Sequence, residues 1–194
     1  MDYMIDAMDP SDWDEVRTIY LEGIETGYAT FETDPGTWEK WDAVHLKAHR
    51  LVARSGSSAR GPLVGDSSLG NLSGSGFSVD CSPLGGSLIV GWAALSPASS
   101  RPVYAGVTEV SVYVASKCQG HGIGRALLEV LIASAEKGGI WTLQAMIFPE
   151  NHASHALHLR GGFREVGRRE KLGRLHDKWH DVLLLERRSR VVGT

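Results

Sequence analysis

The sequence predicts a mixed α/β domain built on one sheet, and three observations carry that prediction. Apolar residues recur at helical spacing in three segments, β-branched and aromatic runs of strand length stand before, between and after them, and a glycine-rich turn joins one such strand directly to a long helix. The 194 residues suit one domain. With 42% hydrophobic and 22% charged residues, the composition decides against a disordered or fibrous chain.

YMIDAM, residues 3–8, reads as an opening strand. PSDWDEVRTIYLEGIETG, 10–27, follows with Ser11 or Asp12 as N-cap and with Trp13, Val16, Ile19, Tyr20 and Ile24 on one helix face. TWEKWDAVHLKAHR, 37–50, repeats the pattern through Trp38, Trp41, Val44 and Leu46 and predicts a second helix. ATFETDPG between them is a loop closed by an Asp-Pro-Gly turn. RLVARS, 50–55, is a strand. Residues 56–87 then turn to Ser and Gly, a composition that buries too little apolar area to offset its ordering entropy. They are expected to form a long, mobile insertion in a strand-strand connection of one domain spanning 1–194. SLIVGWAALSP, 87–97, and TEVSVYV, 108–114, resume as strands. IGRALLEVLIASAEKGG, 123–139, places Ile123, Leu127, Val130, Leu131 and Ala135 on one face and stops at two glycines. IWTLQAMIF, 140–148, is a strand, and PENHASHALHLRGG, 149–162, is a short helix ended by Gly161 and Gly162. FREVGRREKL, 163–172, and KWHDVLLLERR, 178–188, give a closing pair of strands.

A net charge of −3 argues against a nucleic-acid partner, which selects for a basic face. The one basic cluster, RREKLGRLHDK at 168–178, is interleaved with apolar residues and reads as a solvated strand edge. Cys81 and Cys118 stand in different contexts without a Cys-x-x-Cys pair, so neither a disulfide framework nor a zinc knuckle is expected. The acidic start MDYMIDAMDPSDW lacks the pattern of a signal peptide, and the longest apolar run, around SLIVGWAAL, is too short to span a bilayer. A cytoplasmic protein with no membrane partner is the expectation.

The chemistry concentrates in Gln119, Gly120, His121, Gly122, Ile123, Gly124 and Arg125, between EVSVYV and the long helix. A helix N-terminus leaves N–H groups unpaired and carries the positive end of the helix dipole, so anions bind there. Glycines at 120, 122 and 124 let the backbone close around a pyrophosphate. The spacing G-x-G-x-G is neither a Walker loop nor the dinucleotide fingerprint G-x-G-x-x-G. Taken in isolation, such a helix start serves equally as a structural turn. His152, His155 and His158 share a helix face, but with no HExxH motif and no carboxylate partner they predict no metal site.

The spacing Gln-x-x-Gly-x-Gly resembles the coenzyme A loop of the GNAT acetyltransferase superfamily. IETGYATFETDPGTWEKW, SPASSRPVYAGVTEVSVYV, FPENHASHALHLRGGF and RLHDKWHDVLLLE are similar, in order, to segments of its phosphinothricin acetyltransferase family. The resemblance covers almost all of the chain except 56–87. It implies the GNAT fold, a central mixed twisted sheet with helices on both faces, and a homodimer. It also implies acetyl-CoA as cosubstrate, no metal, and direct transfer in a ternary complex to the α-amino group of a small amino-acid-like substrate. Phosphinothricin, methionine sulfoximine and methionine sulfone are such substrates.

On this chain the resemblance implies Glu109 as general base, the alternative being a strand-end glutamate in a surface ion pair. His158 would protonate the departing thiolate or share the base role, the alternative being a packed helix histidine. Asn151 and Ser154 correspond to residues that hold the pantetheine arm. The backbone of Val112, Tyr113 and Val114 would pair with that arm like an added strand and offer an oxyanion donor. Phe31, Arg101 and Tyr104 correspond to the amino-acid pocket, where a guanidinium suits a carboxylate or phosphinate. Direct attack needs no protein nucleophile, so Cys118 is expected to be structural. Two departures stand out: Ser99 replaces a lysine found in some phosphinothricin enzymes, and Gly120-His121 dilutes the positive charge common in the loop. A relative acting on another small amine or a protein N-terminus, and a non-catalytic acyl-CoA-binding module, remain as other readings.

Overall fold

The computed structural model describes residues 2–55 and 88–193, so the Ser/Gly insertion at 56–87, with Cys81, lies outside the described residues. β1 (Tyr3–Ala7) leads through a 3-10 turn at Pro10–Asp12 into α1 (Trp13–Glu25). Asp12, one of the two residues expected, is the N-cap position of α1, but its side chain bonds back to the preceding turn instead of to the helix: Asp9 accepts the Ser11 N–H at 2.9 Å and Asp12 accepts the Asp9 N–H at 2.8 Å, a capping box around the turn that Pro10 opens.

α2 (Trp38–Val44) is shorter than the predicted segment. The Leu46 N–H bonds to Leu95 O at 2.8 Å and draws the chain toward the sheet. The buried Arg50 guanidinium then takes the carbonyls that a longer helix would use, donating to Asp42 O at 3.0 Å, His45 O at 2.8 Å and Leu46 O at 2.7 Å. A cation there also suits the negative helix end.

β2 (Leu51–Ser55), β3 (Leu88–Pro97), β4 (Val107–Val114), β5 (Thr142–Ile147), β6 (Arg164–Leu175) and β7 (Lys178–Arg188) complete a seven-stranded sheet in the order β1-β2-β3-β4-β5-β7-β6. All pairs are antiparallel except β4 with β5. β6 lies at the sheet edge, as the basic cluster suggested, and extends past the predicted end through an irregular stretch around Lys171, whose φ is 47°.

Alternation along the strands sends side chains to two cores. On one face, Trp13, Val16 and Ile19 of α1 and Trp41 of α2 pack against Val52, Ile89, Trp92 and Ala94. On the other, α3 (Ile123–Lys137) packs Ile123, Leu127, Leu128, Leu131 and Ala135 against Ala53, Ala93, Leu95, Val110 and Leu143. Val130, placed on this stripe by spacing, is only partly buried, and Ala126 and Ile132 complete it. An extra residue in β3 at Val90 shifts the register between Ala53↔Gly91 and Arg54↔Ile89, which lets both cores draw on one strand. α4 (His152–Arg160) follows β5 and puts Leu157 against the α3 core.

The feature that positions the site is the parallel pair. β4 and β5 are paired only from Val107↔Thr142 to Glu109↔Gln144; both then continue and part company. From Val110 to Val114 the margin of β4 that faces β5 has no strand partner among the described residues, while β5 stays paired to β7. A gap therefore opens through the sheet. No helix among the described residues is long and apolar enough to cross a membrane.

Candidate functional site

A cleft of about 1330 Å³ occupies this gap. Glu109 sits at its apex, on the last residue pair before the strands separate. Alternation puts Glu109, Ser111 and Tyr113 on the α1 face and Val110, Val112 and Val114 toward α3. The Glu109 carboxylate makes no hydrogen bond or ion pair among the described residues, which sets aside the surface ion pair. Burial pushes its pKa above the ordinary glutamate value.

β4 hands over through a 3-10 turn at Ser116–Cys118 to the glycine loop. Gly120 and Gly122 have φ of 78° and 82°, a conformation other residues adopt at a cost, and a Cβ at either would meet nothing within 4 Å. The loop therefore presents bare backbone to open space. The first α3 bond runs from Ala126 N–H to Gly122 O at 3.0 Å, so the N–H groups of Ile123, Gly124 and Arg125 have no acceptor within the helix. Gly124 lies closer in, where a Cβ would touch Val114 and Leu157 at 3.4 and 3.5 Å. Arg125 donates to Glu129 at 2.7 Å, and Glu22 of α1 accepts the Ser116 N–H at 2.7 Å, tying the loop's start to the opposite wall.

The facing wall is α4. Asn151 caps it, accepting the Ser154 N–H at 3.1 Å, and its Nδ2 donates to Tyr28 O at 3.4 Å. His158, 3% exposed, donates from Nδ1 to Ser154 O at 2.8 Å. A carbonyl can only accept, so the proton sits on Nδ1 and Nε2 keeps its lone pair, without a partner among the described residues. Burial pushes this imidazole pKa down, so the neutral form prevails.

Of the residues the sequence singled out, the structure gathers Phe31, Glu109, Val112, Tyr113, Val114, Gln119, Gly120, Gly122, Ile123, Gly124, Arg125, Asn151, Ser154 and His158 around the cleft. His121 stays off the lining, its Nδ1 2.8 Å from Gln119 O. Arg101 and Tyr104 are not brought in by the single chain. They sit in the exposed turn before β4, beyond the paired end of the strand, where the Arg101 guanidinium lies 5.4 Å from the Tyr104 ring centroid. Cys118 is 2% exposed and packed in the α3 core. The three histidines part: His155 meets Glu165 at 3.2 Å, His158 turns inward, and His152 is exposed; no group of three His, Cys, Asp or Glu side chains that could hold a metal occurs among the described residues.

Sequence reasoning missed part of the wall. Tyr20 meets Tyr113 edge-on with ring centroids 4.9 Å apart, Thr30 lines the same wall, and Tyr113 stacks on Trp92 at 4.7 Å. Burial pushes the Tyr113 phenol well up, so it stays protonated. Gly23 makes room for this ring, since a Cβ there would lie 2.7 Å from it. Its place one turn above Tyr20 was the available signal.

A family model described as the acetyltransferase (GNAT) family matches residues 72–163. A phosphinothricin N-acetyltransferase of Streptomyces coelicolor is 38% identical over 99 residues, 51% of this chain and 58% of that protein. An L-methionine sulfoximine/L-methionine sulfone acetyltransferase of Pseudomonas paraeruginosa is 35% identical over 83 residues, 43% of this chain and 48% of that one. The matched stretch spans only about half the length of these curated relatives. Among solved structures, a phosphinothricin acetyltransferase from Sinorhizobium meliloti in complex with acetyl-CoA superposes with a TM-score of 0.73 at 23% identity, covering 97% of this chain and 89% of that one.

Proposed function

We propose that this chain, which belongs to the GNAT acetyltransferase family, transfers the acetyl group of acetyl-CoA to the α-amino group of a small amino-acid-like substrate of the phosphinothricin, methionine sulfoximine or methionine sulfone type. The observation that carries the reading is the conjunction at the gap: bare helix-start amides and, with no partner for either among the described residues, a β4 margin and an apical carboxylate with raised pKa.

The residues present suit a pyrophosphate followed by an amide-bearing arm. Gln119 to Arg125 offer N–H groups to the phosphates, and Val112 to Val114 offer a strand margin to the arm, with Asn151 and Ser154 opposite. The gap joins the two faces, so the thioester comes from the α3 side and the amine from the α1 side, where Glu109 points. Glu109 accepts a proton from the substrate ammonium, directly or through water, and the nitrogen lone pair this frees forms the N–C bond as the C–S bond breaks. Its raised pKa makes it a stronger base than an ordinary glutamate. A β4 backbone N–H steadies the oxygen that gains charge.

His158 reads differently from an acid. Neutral, with its proton committed to Ser154 O, it keeps a buried Nε2 with no partner among the described residues and serves to position the wall it belongs to, and the departing thiolate takes its proton from water. We keep the cytoplasmic location, the single domain and the homodimer as parts of the same proposal.

Thiol release from acetyl-CoA, measured with the three amino acids and a peptide N-terminus as acceptors, tests the reading. Release matched by N-acetyl product on one of the amino acids is expected. Release with the peptide alone moves the substrate class, and calorimetry showing no heat with CoA removes the reading altogether.

A further inference from the structure

The acceptor end of the cleft, on the α1 face beyond Glu109, is roofed by the loop between α1 and α2. Tyr28 O is held by Asn151, and Phe31 reaches across to β6 and β7. Its ring meets Phe148 edge-on with centroids 4.5 Å apart and packs with Leu175 and Val182; Phe148 in turn stacks on His180 at 5.1 Å.

Beneath the Phe31 ring lies Gly173 of β6, paired with His180. A Cβ on Gly173 would stand 2.6 Å from two ring carbons, inside any tolerable contact, whereas a Cβ on Gly167 of the same strand meets nothing within 4 Å. Gly173 is not among the glycines with positive φ, so its backbone does not call for glycine. The bare position matters for the ring above it.

Resting on the acetyl-transfer reading, we propose that Gly173 is a specificity-determining position: its missing side chain seats Phe31, and the seated ring with Phe148 and Val182 forms an apolar floor that selects amines with a slim, unbranched apolar arm. A side chain at 173 unseats Phe31 and disturbs the segment that carries it, which is tied to α4 at Tyr28 O. The glycine loop begins α3 on the opposite face and does not feel the change.

L-Norleucine and L-asparagine serve as acceptors for the unaltered protein, Gly173→Val, Gly167→Ala, Phe31→Ala and the pair Phe31→Ala with Gly173→Val; Gly173→Ala replaces the valine variant should that fail to fold. The unaltered protein is expected to prefer norleucine in kcat/KM by about tenfold or more. Gly173→Val lowers that value by about tenfold through the acceptor KM while the acetyl-CoA KM holds within about twofold, Gly167→Ala changes little, and the valine has no further effect once Phe31 is alanine. Hydrogen exchange over residues 26–37 reads the seat without turnover and is expected to quicken in Gly173→Val and not in Gly167→Ala. Equal exchange in the two glycine variants, a preference for asparagine, or a full valine effect without the ring overturns the proposal and leaves acetyl transfer standing. No thiol release from any amine by the unaltered protein removes both.

Discussion

Glu109 and His158 are ionisable groups shifted in opposite directions, each chiefly by burial. Base catalysis uses the Glu109 carboxylate, so the rate should climb with pH through a value above the ordinary glutamate range. Glu109→Gln should lower kcat by about a hundredfold and abolish that limb of the pH-rate profile. The same shift acts on stability in the other direction. The folded carboxyl holds its proton more tightly than the unfolded one, so the stability it gives is whole below the unfolded pKa and is lost as pH rises through the folded one. Glu109→Gln should therefore melt above the unaltered protein near about pH 7, with the difference closing toward about pH 4, in calorimetric scans. For His158, proton NMR should show the ring titrating below the free imidazole value. The positions of both residues were implied by the family resemblance of their segments. Their states were not, since the bareness of Glu109 and the tautomer of His158 depend on which groups distant elements bring near.

At the level of elements, the α3 start is the most exacting piece. Gly122 holds φ at 82° as the helix begins, and Gly122→Ala should cost about 1 kcal/mol in backbone strain and weaken CoA binding, read by melting and by calorimetry. Strand-loop-helix segments such as EVSVYV followed by CQGHGIGRALL could be recognised locally, because periodicity and glycines are local signals. What failed to show locally was set by partners far along the chain. α2 stops where Arg50 claims its carbonyls, a 3-10 turn capped by Asp9 precedes α1, and β6 runs on past Leu172 because β7 pairs with it. Arg101 and Tyr104 follow the same rule: their sequence places them just before β4, but only the assembled sheet shows that this end points away from the gap.

The whole molecule tolerates its largest irregularity at one junction. Ser55 and Leu88 are direct partners across β2 and β3, so an Asn-Gly turn in place of residues 56–87 bridges the two strands without altering their register. Such a variant should melt cooperatively and still bind CoA in calorimetry; loss of both would assign the insertion a part in the fold. The mixed class was legible because strands and helices alternate in order, but the strand order and the gap are long-range properties that no window of sequence contains. The parallel seam of β4 and β5 spans just Val107 to Glu109 on one side and Thr142 to Gln144 on the other. Mechanically the molecule is two plates joined by a short suture, and any guest that bonds along the open margin lengthens the stitching. Resistance to heat and to pulling then rises and falls with the guest's abundance, so a starved chain is a softer one.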